Sequence, residues 1–212
     1  YTSERNILKT IHPLFLDGLR AELEKLKADK STQRRARLER FHEKLGTLTF
    51  LDPACGCGNF LILAYRELRL LELDVLEALH PPHERNLVLD VSLLSRVDVD
   101  QFYGIEIAEF PARIAEAALW LVDHQMNMKL SEVFGKAFAR LPLKKSAHIV
   151  HGNALLMDWR EVIAPERLRY MLGNPPFIGS KYQSQAQRQE LAAVFAGTQG
   201  AGVLDYVTAW YR

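Results

Sequence analysis

Thr47-Leu48-Thr49-Phe50-Leu51-Asp52-Pro53-Ala54-Cys55-Gly56-Cys57-Gly58-Asn59-Phe60 is the stretch that decides the fold. Its first residues are β-branched, apolar or aromatic, as in a short buried strand, and Asp52-Pro53 ends them. Cys55-Gly56-Cys57-Gly58 then supplies a glycine turn, and from Asn59 a helical pattern runs to about Leu79, where Pro81-Pro82 closes it. Outward from this unit, a second strand is expected at Phe102-Tyr103-Gly104-Ile105-Glu106-Ile107 and a helix from about Pro111 to Met128. A third strand is expected at His148-Ile149-Val150-His151 and a fourth at Arg169-Tyr170-Met171-Leu172, with 131–146 read as a mixed excursion. Strands alternating with helices imply an α/β fold, a doubly wound parallel sheet.

Residues 3–27 carry apolar positions at helical spacing (Ile7, Ile11, Leu14, Phe15, Leu19, Leu23), with Pro13 a kink or break and Ser3 with Asn6 a loose capping box. Residues 20–45 hold nine Lys/Arg against five Asp/Glu, which reads as a solvated helix or loop, or else a DNA-facing patch. The division expected is a helical segment over 1–46 and a catalytic domain, partial at its C-terminal side, over 47–212. Both ends read as cut from a longer protein.

The 212 residues are 48% hydrophobic and 25% charged, ordinary for a globular protein, and contain no apolar run that would span a membrane. No signal peptide opens the chain, so the cytoplasm is the expected location. A net charge of +1 leaves any polyanion binding to local patches. Cys55 and Cys57 lack the paired spacing of a zinc site, so packing is their expected role and no metal is expected.

In doubly wound sheets ligands sit beyond the carboxyl ends of the strands. All four expected strands end there in unusual residues: Asp52-Pro53, Glu106, Gly152-Asn153 and Asn174-Pro175. Glycines let backbone approach a ligand, and the amides opening the next helix favour an anionic group. The third glycine of the dinucleotide fingerprint is missing near Leu61, which counts against NAD or FAD, and no Walker-type lysine follows the glycines. Glu106 is placed to accept from both hydroxyls of a ribose. Its distance from Gly58 far exceeds the roughly 20 residues of a minimal unit, so an insertion is expected within 81–100.

Asp52-Pro53-Ala54-Cys55-Gly56-Cys57-Gly58-Asn59-Phe60 resembles motif I of the amino-methylating DNA methyltransferases, D-P-A-C-G-S/T-G-x-F, and Asn174-Pro175-Pro176-Phe177 resembles their catalytic motif IV. Tyr1-Thr2-Ser3 resembles their motif X, ahead of both, and Asp205-Tyr206-Val207 their motif V; this order is similar to the gamma group of adenine methyltransferases. The longer wording from Pro53 to Arg69, with Tyr65-Arg66-Glu67-Leu68-Arg69, and that from Asn174 to Ser180 further resemble the Type IIG and IIL restriction-modification enzymes.

The resemblance implies a class I S-adenosylmethionine-dependent methyltransferase fold. Thr2, Asp52, Ala54, Gly56 and Gly58 would line the cofactor's methionine half, Glu106 its ribose, and Ile107 and Asn153 its adenine, with Pro53, Phe60, Ala154 and Asn174 also at the cofactor. Asn153 stands where the family often has Asp, and Cys57 replaces the usual Ser or Thr. Asn174 with Pro175 would accept the hydrogens of an adenine amino group, Pro176 would stiffen the turn, and Phe177 would stack on a base flipped out of double-stranded DNA. Lys181, Tyr182 and Arg188 are candidates for phosphate contacts. Further strands and a target-recognition domain are expected elsewhere in the parent chain. Two other readings fit N-P-P followed by a ring: methylation of a protein glutamine, and a cofactor-binding module inactive on its own.

Overall fold

The computed structural model describes residues 2–85, 90–135 and 146–212. In chain order its elements are helices α1 (Glu4–Ile11), α2 (Asp17–Ala28) and α3 (Arg34–Leu45), strand β1 (Phe50–Asp52), helix α4 (Asn59–Leu79), strand β2 (Phe102–Glu106), helix α5 (Glu109–Phe134), strands β3 (His148–His151) and β4 (Tyr170–Met171), and helix α6 (Gln185–Val194). The four strands form one parallel sheet in the order β3-β2-β1-β4.

Register explains how the sheet gathers its core. Phe50 pairs with Phe102 on one side and Tyr170 on the other, so three rings stand side by side on one face. Their centroids lie 4.8 and 5.3 Å apart and stack, while Phe15 covers Phe50 at 5.1 Å and Tyr65 meets Phe102 edge-on at 5.3 Å. Each such pair contributes about 0.5–1.5 kcal/mol beyond its buried area. Helices α1 to α5 supply most of the rest of this cluster, with Leu48, Cys55, Val97, Ala147 and Leu172 added from the connections. On the opposite face Leu51, Tyr103 and Ile105 pack on Ala154, Ile163 and the partly buried Met157 and Trp159. That face is therefore covered by the connection between β3 and β4, which is irregular apart from a short turn at Trp159–Glu161.

Several sequence expectations change. Pro13 does not break the helix; a π-helical turn at His12–Leu16 carries the chain through, with Asp17 N–H donating to His12 O. The extra residue turns both Phe15 and Leu16 inward. Ser3 is an N-cap by position only, since its side chain makes no capping bond. Residues 20–45 fold as the rest of α2, a short turn and α3, helices that keep their charged faces in solvent and bury Leu23, Leu38, Phe41, His42 and Leu45. Five of their nine basic residues form ion pairs, among them Arg20–Glu67 at 3.0 Å, Arg37–Asp29 at 2.9 Å and Lys44–Glu22 at 2.6 Å. β1 starts later than expected because Gln101 Nε2 donates to the carbonyls of Leu45 and Leu48, which keeps Leu48 out of the ladder. β2 and β4 are each trimmed at their ends. α5 continues past Met128 to Phe134, with no breaker before Gly135, whose left-handed φ of 64° ends it. Most of the expected excursion, 136–145, and part of the expected insertion, 86–89, lie outside the described residues.

Behind the sheet lies a polar network that periodicity does not reveal. Arg69, buried on α4, makes ion pairs with Glu72 at 3.2 Å and Asp123 at 3.1 Å and donates to Tyr65 Oη and Asn127 Oδ1 at 2.8 Å each. Glu72 meets His42 Nε2 at 2.9 Å and accepts from the amides of Arg96 and Val97 at 2.6 and 2.9 Å. Burial alone would push the Glu72 carboxyl up, but the His42 hydrogen bond and the Arg69 charge hold it below its ordinary value. One network thus locks α3, α4 and α5 together, and α4 points its first turn at the sheet's carboxyl edge.

Candidate active site

The turn after β1 is built by glycines where side chains would not fit. Gly58 has φ of 83° and opens α4; a Cβ there would sit 3.0 Å from Ala115 Cβ, so α5 approaches closely. Gly58 N–H donates to Cys55 O at 2.8 Å, and Cys55 N–H donates to Ile105 O at 3.0 Å, extending the ladder past the strand. Cys55 is buried and Cys57 half-buried.

Two carboxylates flank this turn. Asp52 is buried, and its Oδ1 accepts from Ala54 N–H at 3.0 Å. Burial pushes its carboxyl from 3.8 to about 7, with the Ala54 amide opposing and the Glu106 charge adding to the rise. Gly173 passes directly over it, and a Cβ at that position would fall on Oδ1. Glu106 is half-buried, with Oε2 accepting from Gly56 N–H at 2.8 Å and Oε1 from Ala108 N–H at 3.0 Å. Each oxygen keeps one further acceptor site in a fixed direction.

A cavity of about 290 Å³ opens above the turn, lined by Thr2, Asp52, Ala54, Cys55, Gly56, Cys57, Asn59, Phe60, Pro111 and Asn174. Six of the expected residues therefore share one wall: Thr2, Asp52, Ala54, Gly56, Phe60 and Asn174. Thr2 and Asn174 close its mouth, Asn174 Nδ2 donating to Thr2 Oγ1 at 2.9 Å across 172 positions of sequence. Cys55, Cys57, Asn59 and Pro111 line it without having been singled out as ligands; Cys55, Cys57 and Asn59 lie inside the quoted motif, whereas Pro111 comes from α5 and only packing delivers it.

The remaining expected residues lie elsewhere. Pro53 and Pro175 line a separate apolar cavity of about 590 Å³ with Thr10, Leu14, Met171 and Trp210. Glu106 stands behind the glycine turn, and beside it Ile107 is 62% exposed, an apolar face left in solvent. Ala154 is buried against Ile105, and its carbonyl accepts from Trp159 Nε1 at 2.6 Å. Asn153 is half-buried, its Oδ1 accepting from Leu155 N–H at 3.0 Å. Pro176 and Phe177 project from the loop, Phe177 being 73% exposed. Asp205 Oδ1 accepts from Ser180 N–H at 3.0 Å and Tyr206 N–H donates to Ile178 O at 2.9 Å, which tie the segment after the loop to the C-terminal turn.

A parallel sheet of this order, with a glycine turn after its first strand and N-P-P-F after its fourth, defines a class I S-adenosylmethionine-dependent methyltransferase fold. The family described as MmeI, DNA-methyltransferase domain matches residues 27–212, and the chain belongs to that family. It is similar to a solved structure of the Type IIL restriction-modification enzyme MmeI in complex with DNA, with a TM-score of 0.92 and 54% identity over 100% of this chain and 27% of that one. It is also 36% identical over 214 residues to DNA methyltransferase A of Bacillus subtilis (strain 168), covering 100% of this chain and 23% of that protein. The chain thus spans about a quarter of the length of these relatives.

Proposed function

We propose that this chain is the methyl-transferring part of a restriction-modification enzyme, moving a methyl group from S-adenosylmethionine to the exocyclic amino group of adenine in double-stranded DNA. The observation that carries the reading is the 2.9 Å bond between Asn174 and Thr2, which sets the N-P-P-F loop at the mouth of the cavity that the glycine turn lines. The family and the relatives support the reaction class and a DNA partner.

The cavity and the strand end beside it offer such a cofactor three kinds of group. Asp52 supplies a buried carboxylate for a cationic group, Glu106 offers a pre-set acceptor pair for ribose hydroxyls, and Ile107 offers an exposed apolar face for a purine. When bound, the cofactor supplies an electrophilic methyl group on a sulfonium. The protein's task is then to prepare the nucleophile. An exocyclic amino nitrogen has its lone pair delocalised into the ring, so acceptors for its two hydrogens favour the pyramidal form. Asn174 Oδ1 has no partner among the described residues, and with the Pro175 carbonyl it provides those acceptors. Direct in-line transfer needs no covalent enzyme intermediate, and orientation accounts for much of the acceleration. A base in a duplex reaches the loop only when flipped out, and exposed Phe177 gives it a stacking face.

Incorporation of labelled methyl groups into duplex DNA by the full-length protein tests the reading, with a glutamine peptide as the competing substrate. Asn174→Ala is expected to lose roughly a hundredfold or more in rate, in the range seen for groups that stabilise a transition state, while still binding S-adenosylhomocysteine. Undiminished transfer by that variant, or methylation of the peptide alone, would overturn it.

A further inference from the structure

Helix α6 brings to the sheet a carboxylate that belongs to none of the motifs. Glu190 Oε1 accepts from Asn153 Nδ2 at 2.6 Å, and its Oε2 accepts from the buried Tyr206 hydroxyl. The Tyr206 ring stands edge-on to Trp210 at 5.3 Å, and Trp210 Nε1 donates to Pro53 O at 3.3 Å. One chain of contacts therefore runs from the end of β3, through α6, to the turn after β1.

The orientation of the Asn153 amide is doubly determined. Glu190 accepts only, so it requires the NH₂ end, and Leu155 N–H donates only, so it requires the oxygen. An amide has two N–H donors and an oxygen with two acceptor sites. Glu190 and Leu155 use one of each, which leaves one donor and one acceptor. That remainder matches the amino edge of adenine, an N–H donor beside a ring-nitrogen acceptor, and mismatches hypoxanthine, where both are reversed. An aspartate at 153 would place two carboxylates in contact, so the Asn and Glu190 belong together.

We infer that Glu190 is a positioning residue for the cofactor's adenine end: it acts through Asn153, holding the amide in the orientation that selects an amino-bearing purine. The inference rests on the proposed cofactor, whose adenine would reach Asn153 because Gly152 N–H donates to Glu106 O at 2.8 Å and so sets Asn153 beside the proposed ribose acceptor, and it adds a residue outside the motifs.

The test measures binding of S-adenosylhomocysteine and of S-inosylhomocysteine to the full-length protein by calorimetry, with thermal unfolding as a parallel readout. Wild type is expected to prefer the adenosine compound. Glu190→Gln is expected to weaken it by about tenfold, the effect of losing a charge-assisted hydrogen bond, and the inosine compound by less, so that the preference narrows. A purely structural role would weaken both equally. Asn153→Asp is expected to bind poorly, and adding Glu190→Gln to it should recover part of the binding, because the glutamine amide can donate to the new carboxylate, which accepts from the adenine amino group but has no N–H for the ring nitrogen. An unchanged preference in Glu190→Gln, or a double variant no better than Asn153→Asp alone, would overturn the role of Glu190 and leave the cofactor reading standing. Failure of wild type to bind either compound would remove both.

Discussion

The turn at 52–58 and the loop at 174–177 lie at the same edge of the sheet but are held in opposite ways. In the turn, Asp52, Pro53, Cys55 and Gly58 are buried, and the Ala54, Cys55, Gly56 and Gly58 amides each donate to a partner on the turn itself or on β2. In the loop, Asn174, Pro176 and Phe177 are exposed, and the side chain of Asn174 touches one partner, Thr2. Two prolines rather than a hydrogen-bond ladder stiffen it. On the proposed function, a preformed turn suits a ligand bound in the same pose each cycle, whereas a lightly tethered loop suits a substrate that has to swing in. Changes in the first region should therefore appear in stability and cofactor binding, and changes in the second in turnover.

The largest expected effect lies behind the turn. Arg69→Met removes the guanidinium from a buried network and leaves Glu72 and Asp123 without its charge, held by neutral donors and His42, which should cost about 3–5 kcal/mol in chemical denaturation. A loss below 1 kcal/mol would show that α4 needs no such lock. Next, Gly58→Ala forces a left-handed φ of 83° on a residue with a Cβ and crowds Ala115. A loss of about 1–2 kcal/mol in stability, with weaker S-adenosylhomocysteine binding, is expected. Phe177→Ala tests the other side: its ring is 73% exposed, so unfolding should hardly change. Methyl transfer to duplex DNA should fall by roughly tenfold, in line with about 1–3 kcal/mol per stacked base. Equal losses of stability from Gly58→Ala and Phe177→Ala would abolish the contrast.

Asp52 gives a smaller, pH-dependent effect. Its folded-state carboxyl is raised from 3.8 to about 7, so its contribution to stability is fully present below about pH 4 and lost as pH rises through about 7. Binding of a cationic cofactor should run the other way and tighten over that upper range as the carboxylate ionises. Titrations of S-adenosylmethionine affinity between pH 6 and pH 8 should show the rise by at most about tenfold per pH unit, and Asp52→Asn should flatten it.

Much of this was readable from residues. β-branched and aromatic runs located all four strands, and the start of α4 at Asn59 and its end at Leu79 follow from the flanking Gly58 and Pro81. The start of β1 and the end of α5 lie elsewhere than expected, because Gln101 diverts Leu48 and because buried Leu130 and Phe134 keep α5 packed past Met128. In 20–45 the solvated helical character was legible, but the buried stripe was not. Nine basic residues dominate its composition, while the few that matter for packing, Leu38, Phe41 and Leu45 among them, emerge only when α3 meets α4.

What the sequence by itself determined is local: which segments are strands, where glycine permits a turn, and which short motifs stand at strand ends. These follow from backbone sterics and the periodicity of neighbouring side chains, which act over a few residues. The tertiary structure decided which distant groups meet. It put Thr2 against Asn174, set Pro111 in the cavity wall, buried Arg69 among its acids and placed Glu190 on Asn153. Each of those contacts joins residues far apart in the chain, and each exists only once strand register and helix packing have fixed where every element lies.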